Sequence, residues 1–254
     1  MTEQFIKFPR FYLTVPSPCP YLPDRLEQKI FTELKENHAL ELNNSLSKIG
    51  FRRSQKVAYK PACEDCDACL SVRISVNQFK PTRSMRRVWR NNEDLEATDY
   101  PPTATKEQFA LLSHYLDRRH VEGGMAGMGR EDYSTMVEET SVATRVMEFR
   151  QQTEQGERAP LIGACLTDML DDGLSMIYSY YDPEMPNRSL GTQMILHHID
   201  WAQRLNLPYV YLGYWIAQSD KMSYKARFQP LEKYEDDAWS RFGPTPSGPK
   251  SLDD

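Results

Sequence analysis

The sequence predicts a mixed α/β (α+β) protein with two parts, a larger C-terminal domain and a smaller N-terminal domain that contains a cysteine cluster. Three observations carry this. β-like segments at 141–150, 161–170 and 174–181 precede one amphipathic helix at 190–205 and a further strand at 209–212. Three of the five cysteines, Cys63, Cys66 and Cys69, fall within seven residues. The chain is 40% hydrophobic and 26% charged, and its 254 residues suffice for one large domain or two small ones. No apolar run approaches the roughly 20 residues that a membrane-spanning helix needs. The first residues, Met1-Thr2-Glu3-Gln4-Phe5-Ile6-Lys7, lack a secretory apolar stretch, so a cytoplasmic location is expected.

The elements follow from local pattern. Phe11-Tyr12-Leu13-Thr14-Val15 is rich in β-formers and predicts a short strand. Pro16, Pro18, Pro20 and Pro23 then bar regular structure. Over 24–38, Leu26, Ile30, Phe31 and Leu34 recur at helical spacing and predict a helix. A second ordered region spans 51–79, with a strand at 70–76. A basic helix is expected over 84–95, and another helix over 105–120, with Thr105 as N-cap and Phe109, Leu112 and Leu116 on one face. Gly123, Gly124, Gly127 and Gly129 mark a flexible loop, and 151–160 a polar turn. Asp171-Asp172-Gly173 is a hairpin signal between two strands. Beyond Phe242 the chain is rich in Pro, Gly and Ser, which predicts a disordered tail. The expected division is therefore 1–100, 101–242 and a tail at 243–254.

The strand–strand–strand–helix–strand order resembles the GNAT acyltransferase fold. In that fold the turn into the helix usually carries R-x-x-G, and here it reads Arg188-Ser189-Leu190-Gly191. Outward-pointing N–H groups at a helix start carry partial positive charge and suit a phosphate.

In a reducing compartment, clustered cysteines favour metal binding or redox chemistry over disulfides. Cys63-x2-Cys66-x2-Cys69 can turn its thiolates toward one soft cation, and Cys19 is a candidate fourth ligand. Such a set suits zinc or an iron–sulfur cluster. The competing reading is that the thiols are reduced packing residues. Cys165, alone in an apolar strand, reads as core.

The net charge of −5 hides two basic segments. Lys80, Arg83, Arg86, Arg87 and Arg90 lie in a stretch without an acid, with Trp89 among them. Arg52, Arg53, Lys56 and Lys60 form the second.

Around these residues the match to a family becomes specific. Ser17-Pro18-Cys19-Pro20-Tyr21-Leu22, Gly50-Phe51-Arg52-Arg53-Ser54-Gln55 and Tyr59-Lys60-Pro61-Ala62-Cys63 resemble the N-terminal region of the arginyl-tRNA–protein transferase family. Tyr178-Ser179-Tyr180-Tyr181-Asp182-Pro183, Arg188-Ser189-Leu190-Gly191, Tyr211-Leu212-Gly213-Tyr214-Trp215-Ile216 and Lys221-Met222-Ser223-Tyr224-Lys225-Ala226-Arg227-Phe228 resemble its transferase region. They occur in the family's order over nearly the whole chain. The short length and the single cysteine run look like the bacterial branch. The resemblance implies leucine transfer from Leu-tRNA to proteins with N-terminal Asp or Glu, which marks them for degradation by the N-degron pathway.

Residue chemistry fits that reaction. An aminoacyl ester is already activated, so no cofactor is required for transfer, and no P-loop is present. Lys80, Arg83, Arg86, Arg87 and Arg90 offer charges for phosphates, and Trp89 a ring for stacking. A guanidinium grips both oxygens of an acceptor carboxylate. Arg52, Arg53, Arg188 and Arg227 are the candidates, with Arg52 or Arg53 favoured for the carboxylate and Arg188, with Gly191, for a phosphate at the helix start. Tyr178 and Tyr180, on one strand face, and Asp182 form a candidate catalytic group that orients an amine or relays its proton. Lys221, Tyr224 and Lys225 are candidates to line the tRNA end. His197 and His198 read as structural. Without a Ser-His-Asp or Cys-His set, a covalent acyl-enzyme is disfavoured. The rival readings are an acetyl-CoA-dependent N-acetyltransferase, weakened by Gln193 where R-x-x-G-x-G/A has its last glycine or alanine, and a non-catalytic RNA-binding protein.

Overall fold

The computed structural model describes residues 9–35, 37–119, 125, 127–153 and 159–243. The N-terminal strands are β1 (Tyr12–Leu13), β2 (Ser17–Pro18), β3 (Leu26–Glu27) and β4 (Lys29–Glu33). Helix α1 (Ala39–Lys48) leads into β5 (Arg52–Ser54), β6 (Val57–Pro61) and β7 (Leu70–Ser75). Next come α2 (Arg83–Arg90), β8 (Leu95–Tyr100), α3 (Lys106–Arg119) and α4 (Arg130–Glu138). The second half holds β9 (Thr144–Gln151), β10 (Leu161–Met169), β11 (Gly173–Tyr181), α5 (Leu190–Arg204) and β12 (Tyr209–Trp215). A one-turn α6 (Asp220–Ser223) precedes β13 (Leu231–Glu235) and β14 (Ala238–Phe242).

Eight strands form one sheet in the order β14-β13-β7-β12-β11-β10-β9-β8. All its pairs are antiparallel except β11–β12. Helix α5 and, beside it, Met85 of α2 cover one face, packing on Val72, Ile74, Met147, Phe149 and Leu174. Helices α3 and α4 cover the other through Leu112, Leu116, Tyr133 and Val137. The expected order of three strands, helix and strand is thus present as β9-β10-β11-α5-β12, with the Asp171-Asp172-Gly173 turn closing the β10–β11 hairpin. Strands β7 and β8 lie within residues 1–100 yet belong to this sheet, so both sides of that expected boundary share one core. A second sheet, β1-β4-β6-β5, packs with α1 around Leu34, Leu46 and Ala58.

Several local expectations meet their physical reasons here. Gln108 N–H donates to Thr105 Oγ at 3.1 Å and Thr105 N–H to Gln108 Oε1 at 2.9 Å, a reciprocal cap that starts α3. In α5, His198 is fully enclosed between Thr167 Oγ1 at 2.9 Å and the Met194 carbonyl at 2.7 Å, and burial pushes its pKa down to about 4. His197 stacks on Trp89 of α2, so both histidines are structural.

The helix expected over 24–38 is corrected to β3 and β4. Spacing there suits a helix, but Ile30 and Phe31 pair across the sheet with Lys60 and Tyr59, and tertiary pairing overrides the local pattern. Asp24 sits at φ 58°, which no helix interior allows. Elements β8, α4 and the β13–β14 hairpin are additions to the elements expected from sequence. That hairpin turns through Asp236 and Asp237, both at positive φ, where aspartate is tolerated. The expected loop glycines Gly123 and Gly124, residues 154–158 of the polar turn and residues 244–254 of the tail lie outside the described residues.

The two sheets are joined by a buried ion pair. Arg53 of β5 grips Asp168 of β10 with two bonds, at 2.5 and 2.6 Å, and Thr144 Oγ donates to the same carboxylate at 2.8 Å. Both side chains are 1% exposed. Removing one partner of such a pair strands the other charge. Asp168→Ala should therefore cost about 3–5 kcal/mol in urea denaturation. The double replacement Arg53→Met with Asp168→Leu should cost less than Asp168→Ala alone.

Candidate active site

The one parallel pair in the large sheet stops early. Strands β11 and β12 pair only at Gly173–Tyr209, Leu174–Val210 and Ser175–Tyr211. At that point each strand carries an extra residue relative to its outer neighbour. The β10–β11 register shifts at Leu166/Thr167, leaving Ile177 over, and the β7–β12 register shifts at Tyr211/Gly213, leaving Leu212 over. Bulges bend a strand and increase its twist, so the two strands part.

A cation from elsewhere fills the opening. Arg52 Nη2 donates to the carbonyls of Met176 at 2.7 Å and Ile177 at 3.4 Å. The guanidinium lies against Gly213, whose φ is +82°. A Cβ there would overlap the Arg52 guanidinium, so only glycine leaves the room. Among the described residues Arg52 has no carboxylate within ion-pair distance. On the β12 side, Lys225 donates to the Tyr214 carbonyl at 2.6 Å. Lys225 is 8% exposed, and burial, followed by the nearby Arg52 charge, pushes its pKa down to about 7.

Tyrosines border this place. Tyr181 meets Tyr115 of α3 with ring centroids 5.1 Å apart, and Tyr115 also senses Tyr178 and Tyr224. Burial pushes Tyr178 and Tyr224 up to about 12, so near neutrality both are protonated hydrogen-bond donors. Arg119 reaches the Tyr181 hydroxyl at 3.3 Å. Gly191 at the start of α5 lets Tyr181 approach, since a Cβ there would meet its ring at 3.3 Å.

The expected residues divide. Arg52, Tyr178, Tyr224 and Gly191 come together around the opening. Arg53 does not, because Asp168 holds it in the core. Tyr180 is 2% exposed and its hydroxyl is 2.7 Å from that of Tyr133, so it sits in the core under α4 rather than at the opening. Asp182 Oδ1 accepts the Glu184 N–H at 2.9 Å and braces its own turn. Arg188 is not free for phosphate either: it pairs with Asp94, and its Nε donates to Asn92 Oδ1 at 2.9 Å. Lys221 and Arg227 are exposed near the opening's chain segment, without a carboxylate partner among the described residues. Lys80, Arg83, Arg86, Arg87 and Arg90 are exposed on or just before α2, and Trp89 is 37% exposed. Helix α2 ends beside the start of α5, where Asn92 Nδ2 donates to the Arg188 carbonyl at 2.9 Å. Gly213 and the Tyr214 carbonyl are site groups that residue type does not single out. The available signal is an isolated glycine inside a strand pattern, which marks a bulge or a close approach.

Cys19, Cys63, Cys66 and Cys69 line one cavity of about 90 Å³ together with Tyr21, Tyr59 and Tyr214. All are free thiols. Burial, then Cys63, Cys19 and Cys66, push Cys69 up to about 12. The donor chemistry suits a soft cation. Among the described residues no group of three or more His, Cys, Asp or Glu is already arranged to hold a metal ion; Cys19, Cys63, Cys66 and Cys69 are the residues that would hold one.

Fold and site together define a mixed α/β protein whose opening between two parallel strands is filled by Arg52 of the N-terminal part beside Lys225 of the C-terminal part. The family model for the N terminus of arginine-tRNA-protein transferase matches residues 17–87, and that for its C terminus residues 107–235. The protein called aspartate/glutamate leucyltransferase from Parvibaculum lavamentivorans is 55% identical over 240 residues, covering 94% of this chain and 98% of the relative. That of Sphingopyxis alaskensis is 54% identical over 242 residues, covering 95% and 94%. The solved structure of L-PGS from Bacillus licheniformis superposes with a TM-score of 0.46 at 11% identity, over 72% of this chain and 52% of that one. The chain belongs to the arginine-tRNA-protein transferase family. It is an aminoacyltransferase, with an aminoacyl-tRNA as donor and a protein as acceptor. Among the described residues no helix is long and apolar enough to cross a membrane.

The packing of Arg52 against Gly213 can be measured. Gly213→Ala should cost about 1–3 kcal/mol from its positive φ, plus the cost of displacing Arg52. In an Arg52→Ala background the same substitution should cost less, because the clash is gone. Urea denaturation of the four proteins gives the coupling; additivity would show that Arg52 does not occupy the opening.

Proposed function

We propose that this protein transfers leucine from Leu-tRNA to the α-amine of proteins beginning with Asp or Glu, in the cytoplasm, and so marks them for degradation. The observation that carries the reading is the convergence of the separate family segments on one place. Arg52 comes from the Gly50–Gln55 segment, Tyr178 and Tyr181 from Tyr178–Pro183, Gly191 from Arg188–Gly191, Gly213 and Tyr214 from Tyr211–Ile216, and Tyr224 and Lys225 from Lys221–Phe228. The names of the near full-length relatives support the choice of leucine and of acidic acceptors.

The parts assign themselves by chemistry. The tRNA is a polyanion, and the exposed arginines of α2 run up to the start of α5, so the acceptor stem follows α2 and delivers its aminoacyl end to the opening. Tyr178 and Tyr224 donate hydrogen bonds there. Arg52 takes the acceptor's side-chain carboxylate. Asp and Glu differ by one methylene, and a guanidinium accepts both where a fitted apolar pocket would separate them. Arg53, held by Asp168, is not available for this. No cofactor enters, since the ester supplies the driving force.

Purified protein, an Asp-initiated peptide and tRNA charged with leucine or arginine test the reading by mass spectrometry. Leucine addition, much faster than arginine addition, is expected. Preference for arginine would contradict the donor, and acetylation with acetyl-CoA the whole reading. Replacing Arg83, Arg86, Arg87 and Arg90 together by Ala should raise KM for Leu-tRNA. It should also flatten the salt dependence by roughly 0.7–0.9 log units per log unit of salt for each phosphate left without its arginine.

A further inference from the structure

We propose that the ε-amine of Lys225 is the base of the transfer, taking the proton that the acceptor's α-amine loses as its nitrogen attacks the ester. This rests on the transfer reaction proposed above and adds the group that moves its proton.

The geometry of Lys225 is unusual for a lysine. Its head is buried, it makes one hydrogen bond, to the Tyr214 carbonyl at 2.6 Å, and among the described residues no carboxylate stands within ion-pair distance. Buried lysines are otherwise paired with an anion. Here the charge that acts on it is another cation, Arg52 of β5. The other titratable and charged groups around the opening are Tyr224 from the same turn, Tyr178 and Tyr181 of β11, Tyr115 and Arg119 of α3, and Cys165 of β10, which senses Arg52. The Tyr214 phenol points away, donating to the Gly50 and Tyr59 carbonyls. Burial holds Tyr178 and Tyr224 at about 12 and Cys165 at about 12, so these groups are neutral at working pH. Burial and Arg52 leave Lys225 with a pKa of about 7, where a neutral amine is well populated. A neutral amine that donates one N–H to a carbonyl keeps its lone pair free for a proton.

The step balances without a further reagent. The acceptor nitrogen forms the new C–N bond to the leucyl carbonyl carbon. The C–O bond to the terminal ribose breaks. Lys225 takes the proton from the attacking nitrogen, directly or through one water, and passes it to the departing ribose oxygen. An acceptor carboxylate on Arg52 offsets the guanidinium charge and strengthens the base, so an acidic acceptor helps to switch on its own transfer.

Single-turnover transfer to an Asp-initiated peptide tests this over roughly pH 5.5 to 9. Lys225→Met and Lys225→Arg should both slow transfer by about 10²–10⁴-fold while Leu-tRNA binding persists. The wild-type rate should fall as pH drops below about 7 through two protonations, that of Lys225 and that of the acceptor α-amine, whose ordinary value is about 7.7–8, and in Lys225→Met only the α-amine's shallower limb should remain. Lys225→Ala should recover with added small primary amines, more strongly with more basic ones, which a merely structural lysine would not allow. Transfer within a few-fold of wild type in Lys225→Arg, or an unchanged acid limb in Lys225→Met, would overturn the assignment. If the variants fail to fold, ¹³C-lysine NMR of the wild-type protein decides: one lysine titrating near 7 supports it, and all lysines near the ordinary value of about 10.4 overturn it. A wild-type protein that transfers no leucine would overturn the transfer reading and this inference with it. Active wild type with equally active Lys225 variants would overturn the base alone.

Discussion

When two neighbouring strands stop pairing inside a sheet, their backbone groups lose partners, and buried polar groups without partners are costly. Strands β11 and β12 do this immediately after three paired positions, because a bulge on each sends them apart. The freed carbonyls of Met176, Ile177 and Tyr214 are then met by Arg52 and Lys225, not by another strand. Most of the site follows from this one constraint. The carbonyls draw a guanidinium and a buried amine into one small place, with no carboxylate among the described residues within ion-pair distance of either.

The same constraint explains why the N-terminal part cannot be separated from the transferase part. Arg52 and Arg53 are adjacent on an edge strand, so their side chains point to opposite sides. One reaches the opening, the other locks onto Asp168, and the lock fixes where the first can go. Tyr214 joins the remaining pieces. Its carbonyl takes Lys225, while its phenol donates to Gly50 and Tyr59 and its ring borders the cysteine cavity. The cysteine cavity and the opening therefore share Tyr214.

The large sheet is legible in the sequence because its elements have strong, long patterns: the β10–β11 hairpin with Asp171-Asp172-Gly173, and α5 with its apolar face. Segment 24–38 is not, since Leu26, Ile30 and Phe31 fit a helix as well as a strand until β2 pairs with the first and β6 with the other two. At the site, residue type points to Arg52, Tyr178, Tyr224 and Gly191. Type alone does not separate Arg52 from Arg53 or free Arg188 from its Asp94 partner, because a partner more than ninety positions away in the chain leaves no local signal. Tyr180 and Tyr178 share a strand face, yet only the placement of Tyr133 makes one of them core. Lys225 lies in a recognisable segment, but its burial and lack of an anion are properties of the folded chain.

The central claim is that aminoacyl transfer takes place at the mouth of the β11–β12 opening. A structure of the protein bound to a tRNA mimic carrying leucine through a non-hydrolysable amide tests it most directly. The leucyl carbonyl should lie at that mouth, with Tyr178 and Tyr224 beside it and Arg52 and Lys225 within reach. A leucyl group seated instead in the 390 Å³ cavity lined by Tyr100, Gln108, Glu148 and Arg150, or in the cysteine cavity, would contradict it.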